Sequence, residues 1–279
     1  MSPEPRPPTI PPLPSVLHLV QMIVVGRIRA SGEELYREVA RTIGAERGRD
    51  IVVAGCGAGE TAEWLAARTG ASLTGVDWSE DLVEKAEIRR RLLQQPVQLS
   101  FQQAPLDDLP HETGVFDAAV GEPPLSSAKD PAKAVAELTR VTKPMGSVVL
   151  LQLTWSSELR GEAREMLVER LGMRPHLLVE WKQMMRDAGL VDIQVQDWTT
   201  AGSLAAGVAR RTGEVEIPTL TWQQKAQIVA RGLRRWGWRE ARGALERETE
   251  LLRELSHERA IGFQLLSGVK WPHAITSGT

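Results

Sequence analysis

From Ile51 to Trp78 the chain runs through an apolar stretch, Ile51-Val52-Val53-Ala54, a glycine-rich turn, Gly55-Cys56-Gly57-Ala58-Gly59, and a second apolar stretch that ends on an acid, Asp77. A short run rich in β-branched residues and closed by glycines reads as a buried strand, and Glu60 to Arg68 reads as the helix that follows it. Strand, glycine turn, helix and strand make a βαβ unit, which commits the chain to an α/β fold with parallel strands. The glycines let backbone approach a ligand where a Cβ would collide. The start of the helix offers N–H groups to an anionic group, and Asp77 offers two acceptor oxygens to a ribose diol.

Glycine spacing separates the nucleotides that such a unit can hold. The dinucleotide fingerprint G-x-G-x-x-G needs a third glycine at position 60, where Glu60 would repel a pyrophosphate, and no G-x-x-x-x-G-K-[ST] loop occurs. The form present is G-x-G-x-G. Downstream, Asp77-Trp78-Ser79 is followed by Leu82 and Ala86, with Ser79 in helix N-cap position. A third strand is expected at Val97 to Phe101, then Asp107-Asp108-Leu109-Pro110 and a fourth strand at Phe116 to Val120. A helix opened by Asp130-Pro131 runs to Val141, and Lys143-Pro144-Met145-Gly146 precedes a fifth strand, Ser147 to Leu153.

This ordered set resembles the class I methyltransferases that use S-adenosylmethionine (SAM), over roughly residues 46–202. The small-molecule type is the nearest in pattern, similar to the UbiE and arsenite methyltransferase-like group but without the several cysteines that hold arsenic. The resemblance implies a Rossmann-like seven-stranded methyltransferase sheet, its last strand antiparallel, with SAM as methyl donor and S-adenosylhomocysteine as product. It assigns Gly55, Cys56, Gly57, Ala58 and Gly59 to the cofactor loop and Asp77 to the ribose. Trp78 would stack on the adenine, the N–H of Leu106 would read its edge, and Asp107 is a substitute polar contact. Glu122, just after the fourth strand, falls beside the methionine end and the transferring methyl. Three positions depart from the pattern. Val53 stands where an acid usually reaches the methionine amino group, Pro105 where an acid usually bonds the adenine amino group, and Met145 within the usual Pro-Gly-Gly turn.

A chain of 279 residues, 42% hydrophobic, can bury a full core, and its net charge of -2 argues against a general nucleic-acid binder. Cys56 is the lone cysteine, which excludes an internal disulfide and a cysteine metal cluster; no metal site is expected. Residues 1–14 hold seven prolines and read as an extended tail. Residues 15–45 read as helical, with an apolar pattern too short and too interrupted to span a membrane and no basic region before it as in a signal peptide; the resemblance implies that this segment folds over the cofactor as a lid. Within that lid Arg29 and Tyr36 are placed to approach the cofactor, with simple packing the alternative for Tyr36. Residues 203–258 form an amphipathic, charged helical insertion read as a solvated face, a substrate cap or a dimer surface. Residues 191–198 and 260–271 are the last two strands, and 272–279 a tail. A cytoplasmic enzyme is the expectation, with the N-terminal helix and the insertion as the candidate surfaces for a homodimer.

The acceptor leaves fewer marks. Nine tryptophans against one tyrosine and three phenylalanines are enough to wall an apolar pocket, although each also serves core packing. Trp155, Trp181 and His176 lie in the region where acceptors usually sit and are the candidate substrate-binding residues. Glu122 is the first candidate for a catalytic base, with His111 and His176 behind it. Glu122-Pro123-Pro124-Leu125 also resembles the Asn/Asp/Ser-Pro-Pro-aromatic motif of methyltransferases acting on DNA, RNA or protein. Here the first side chain is a carboxylate, and Leu125 cannot stack. A small, partly apolar acceptor is therefore preferred, with a nucleic-acid or protein methyltransferase and a non-catalytic SAM-binding or scaffold protein as alternatives.

Overall fold

The computed structural model describes residues 34–94, 96–155, 168, 174–198 and 261–272. The N-terminal helix of the lid and the 203–258 insertion lie outside these residues. Helix α1 is described over 34–42, followed by β1 (Asp50–Ala54), α2 (Glu60–Thr69), β2 (Ser72–Asp77), α3 (Glu80–Arg91), β3 (Leu99–Gln103) and β4 (Phe116–Gly121). After a 3₁₀ turn, Pro123–Ser127, come α4 (Pro131–Val141), β5 (Thr142–Trp155), β6 (His176–Leu177), α5 (Leu178–Asp187), β7 (Leu190–Asp197) and β8 (Ile261–Lys270).

The strands form one sheet in the order β3-β2-β1-β4-β5-β8-β7, with the two-residue β6 attached beside the end of β5. Strands β1 to β5 pair in parallel, and β8 enters antiparallel between β5 and β7. The seven-stranded path with an antiparallel last strand matches the expected methyltransferase architecture; β6 is an eighth, short addition. Alternate residues of β1 explain its continuous apolar run. Ile51 and Val53 face a core cluster that also holds residues of α1, α2 and α3, while Val52 and Ala54 face one with residues of α4 and α5.

Local chemistry sets the ends of the elements. Asp130 accepts from the Lys133 N–H at 3.0 Å and Pro131 occupies the first helical turn of α4. Ser79 stands at the N-cap of α3 as expected, but its side chain makes no capping bond; its own N–H instead donates to Asp77 Oδ1 at 2.9 Å. Phe101 of β3 lies over Gly59 and Gly75, and a Cβ at either glycine would run into its ring. Strand β5 begins five residues before the expected Ser147, because Thr142 pairs with Phe116 and the chain then bulges before Ser147 pairs with Ala118. In that bulge Met145 takes φ 65°, the conformation that glycine holds without strain.

Candidate functional site

Register brings the candidate residues together. Ala54 at the end of β1 is level with Val76 of β2 on one side and Gly121 of β4 on the other, so Gly55, Asp77 and Glu122 leave the sheet as neighbours. The chain passes from β1 to β2 on one side and later returns to β4 on the other. This is the switch point outside the carboxyl ends of the strands, where open α/β sheets bind ligands.

The glycine loop is tied to β2. The N–H groups of Gly55 and Cys56 donate to the Val76 carbonyl at 2.8 and 3.1 Å, Gly59 N–H to the Cys56 carbonyl at 2.8 Å, and Gly57 N–H to Asp77 Oδ2 at 2.9 Å. Four of the five loop N–H groups are thus satisfied within the protein. What this loop offers a ligand is chiefly bare backbone: Gly57, at φ 52°, has nothing within 4 Å of where a Cβ would stand, and Ala58 beside it is half-buried. Nor is the start of α2 dressed for an anion, since Glu60 and Glu63 crowd its first turn and pair with Arg89 at 2.9 and 2.7 Å.

Asp77 is only 1% exposed, and its two oxygens accept from Gly57 and Ser79. A carboxylate has about four lone-pair sites, so roughly two remain for a diol. Burial raises its pKa, against the lowering by backbone hydrogen bonds. Trp78 is 40% exposed, an uncovered indole next to the buried acid. The Asp77 carbonyl accepts from the Ala104 N–H at 3.0 Å, which brings the turn carrying buried Leu106 and half-buried Asp107 to the same edge. Cys56 is packed under the loop; burial, then the charges of Asp77 and Glu122, push its thiol pKa up, so it is inert as a nucleophile.

Glu122 is held from both sides: its N–H donates to the Ala54 carbonyl at 2.9 Å, and its carbonyl accepts from Gln152 Nε2 at 2.8 Å. The same Gln152 nitrogen donates to the Gly121 carbonyl at 3.2 Å. Glu122 Oε1 is sealed from solvent and has no hydrogen-bond partner among the described residues, and the same holds for Gln152 Oε1. Burial pushes the Glu122 carboxyl up to about 7, opposed by a hydrogen bond from Thr61 and reinforced by the charges of Asp77 and Glu60. Sequence reasoning missed Gln152, a buried polar residue inside an otherwise apolar strand, which is the signal that could have flagged it.

The acceptor candidates divide. His176 pairs beside Thr154 through β6 and lines an open cavity of about 440 Å³ with Ser126, Ser127, Lys129 and Arg174. Its pKa is lowered, first by burial, and its Nδ1 lies 3.4 Å from Glu180. Trp155 is 5% exposed at the end of β5. Trp181 has no exposed surface and packs in the core with Leu138 and Met185, its ring edge-on to His176; as a wall of an open pocket it is covered by its own chain. His111 sits near the start of β4, packed on Phe116, a strand length of roughly 16 Å from the edge that carries Glu122, and so is removed from the site. Tyr36 packs on Trp64 with ring centroids 5.3 Å apart. Arg29 lies outside the described residues.

Residues 52–150 match the family model described as a methyltransferase domain. A ubiquinone biosynthesis O-methyltransferase from Alkalilimnicola ehrlichii is 32% identical over 156 residues, 54% of this chain and 61% of that protein. Across the first four curated relatives the aligned part spans 44% to 61% of the relative's own length. Among solved structures, phosphoethanolamine N-methyltransferase 2 of Haemonchus contortus in complex with SAM superposes with a TM-score of 0.67 at 16% identity, covering 84% of this chain and 51% of that one. The [4+2]-cyclase SpnF superposes with a TM-score of 0.60 at 18% identity, covering 93% of this chain and 98% of its own. These structural likenesses show the class I methyltransferase fold. Among the described residues, no helix is long and apolar enough to cross a membrane.

Proposed function

We propose that this chain binds SAM at the carboxyl edge of β1, β2 and β4 and transfers its methyl group to a small, partly apolar acceptor. The observation that carries the reading is the convergence of the side-chain-free loop at Gly57, the buried Asp77 and the sealed Glu122 oxygen at the switch point of the sheet. The residues present fit the cofactor: Asp77 keeps lone pairs for a ribose, Trp78 an open face for adenine, Leu106 and Asp107 the edge beside it, and Glu122 an acceptor oxygen that lacks a donor. Bound there, SAM supplies an electrophilic methyl group on a sulfonium. The protein's contribution is to hold acceptor and methyl in line in a dry site, a contribution of about 7–11 kcal/mol when alignment is complete. The acceptor side is built from His176 and Trp155 near the ends of β5 and β6, with Trp181 packed beneath His176. A relative named for ubiquinone biosynthesis supports an acceptor with an apolar part.

The test pairs titration calorimetry of SAM with transfer of labelled methyl into a metabolite extract. Absence of SAM binding would sink the assignment. Binding without transfer would favour the second reading, a SAM-binding protein that does not methylate, for which Val53 and Pro105 in place of the usual acids speak.

A further inference from the structure

We infer that Glu122 is the carboxylate that receives the ammonium group of SAM, and that it surrenders a proton to solvent when that ammonium arrives. The inference rests on the proposed SAM site and concerns how this chain holds the amino-acid end of the ligand. Val53 is fully buried and turned into the α1–α2–α3 side of the core, so position 53 supplies no charge to the site. Glu122 leaves the adjacent strand one step past the register partner of Ala54, with Oε1 buried and without a donor among the described residues.

A buried acceptor without a donor is costly, and among the described residues both Glu122 Oε1 and Gln152 Oε1 are in that state. Gln152 must turn its amide N–H groups toward the Gly121 and Glu122 carbonyls, because its oxygen would repel them; its Oε1 is thereby left unpaired. A group rich in N–H donors answers this arrangement. SAM carries two positive charges at neutral pH, and only one of them, the ammonium, has N–H groups; the sulfonium offers carbon-bound hydrogens alone. Among the described residues, the charged and titratable groups facing Glu122 are Asp77 from the end of β2, Glu60 from α2 and the Cys56 thiol of the loop, with the Thr61 hydroxyl as hydrogen-bond donor. No cation stands among these four. With its pKa near 7, the carboxyl is about half protonated at neutral pH in the ligand-free protein. An ammonium against it favours the ionised form, and the proton leaves to buffer.

The experiment is calorimetry at pH 7 in buffers of different ionisation enthalpy, which counts protons released per ligand bound. Three ligands are compared on the wild-type protein: SAM, S-adenosylhomocysteine, and 5′-methylthioadenosine, which keeps adenine, ribose and sulfur but has no amino-acid end. About half a proton per site is expected with the first two and none with the third. Glu122→Gln should abolish the release and weaken SAM about ten- to a hundredfold at pH 8, with 5′-methylthioadenosine affinity unchanged. Equal release by 5′-methylthioadenosine would assign the proton to Asp77 at the ribose and overturn the inference, as would binding of SAM with no release. If none of the three ligands binds, the cofactor reading fails along with it. The ligand series needs no variant, so it decides the matter even if Glu122→Gln folds poorly.

Discussion

Replacing Glu122 by glutamine should make the ligand-free protein more stable at pH 8 and leave it almost unchanged at pH 5. The ordinary carboxyl value for this side chain is 4.5, and burial holds it at about 7 in the fold. Between those values the folded state binds more protons than the unfolded one, so stability falls as pH rises. Each pH unit is worth about 1.4 kcal/mol, and a gap of about 2.5 units gives roughly 3 kcal/mol lost by pH 8. Glutamine has nearly the same shape and no charge to ionise. Asp77, also raised by burial, contributes in the same direction, whereas His111 and His176, lowered by burial, add stability as pH rises toward their ordinary value of 6.5. The slope of the wild type alone is therefore a mixture, and the quantity to measure is the difference between wild type and Glu122→Gln. Urea unfolding at half-unit steps from pH 5 to pH 8, in the absence of SAM, supplies it. A difference that stays constant across the range, or that grows toward low pH, would refute the argument that Glu122 is ionised against its surroundings.

Asp77→Ala leaves the N–H groups of Gly57 and Ser79 without their acceptor, so it should lower unfolding stability by about 2–4 kcal/mol as well as SAM affinity; chemical denaturation beside calorimetry separates the two losses. Gly59→Ala should cost about 2–4 kcal/mol, because the new Cβ meets Phe101 at a positive φ, and Phe101→Leu in the same chain should recover part of the loss in a double-mutant cycle. Met145→Gly relieves left-handed strain at a 62%-exposed side chain and should raise stability by up to about 1 kcal/mol, read as a small rise in melting temperature.

The glycine loop and its flanking strands were readable because each rests on local chemistry: β-branched runs for β1 and β2, glycine where φ is positive, an acid where β2 ends. Bounds slipped where tertiary pairing overrode the local pattern. Strand β3 sits two residues later than expected, paired so that Gly75 meets Phe101. Strand β6 spans two residues, too few for any periodicity to show, and exists only because β5 offers it a partner. The site was legible in its residue types but not in their environments. Sequence does not reveal that Asp77 spends two lone pairs on its own loop, that Glu122 Oε1 is sealed, or that Gln152 braces the end of β4. For Trp181 the region was readable, but its full burial follows from α5 packing on α4, which no motif announces.

The placement of β8 matters to the protein before it is finished. Strand β5 pairs from Ser147 to Trp155 with a segment that reaches it late: Leu151 lies opposite Leu265, 114 residues further along the chain. During synthesis the first half of the sheet can assemble while the outer edge of β5, with its apolar Val148 to Leu151, stands open, and β7 waits for the same strand as its neighbour in the sheet. An open apolar edge of this kind is a template for pairing with other nascent chains. A chain interrupted before residue 261 would keep the glycine loop, Asp77 and Glu122, yet carry a permanently unprotected edge, and would be expected in aggregates rather than among ligand-binding molecules.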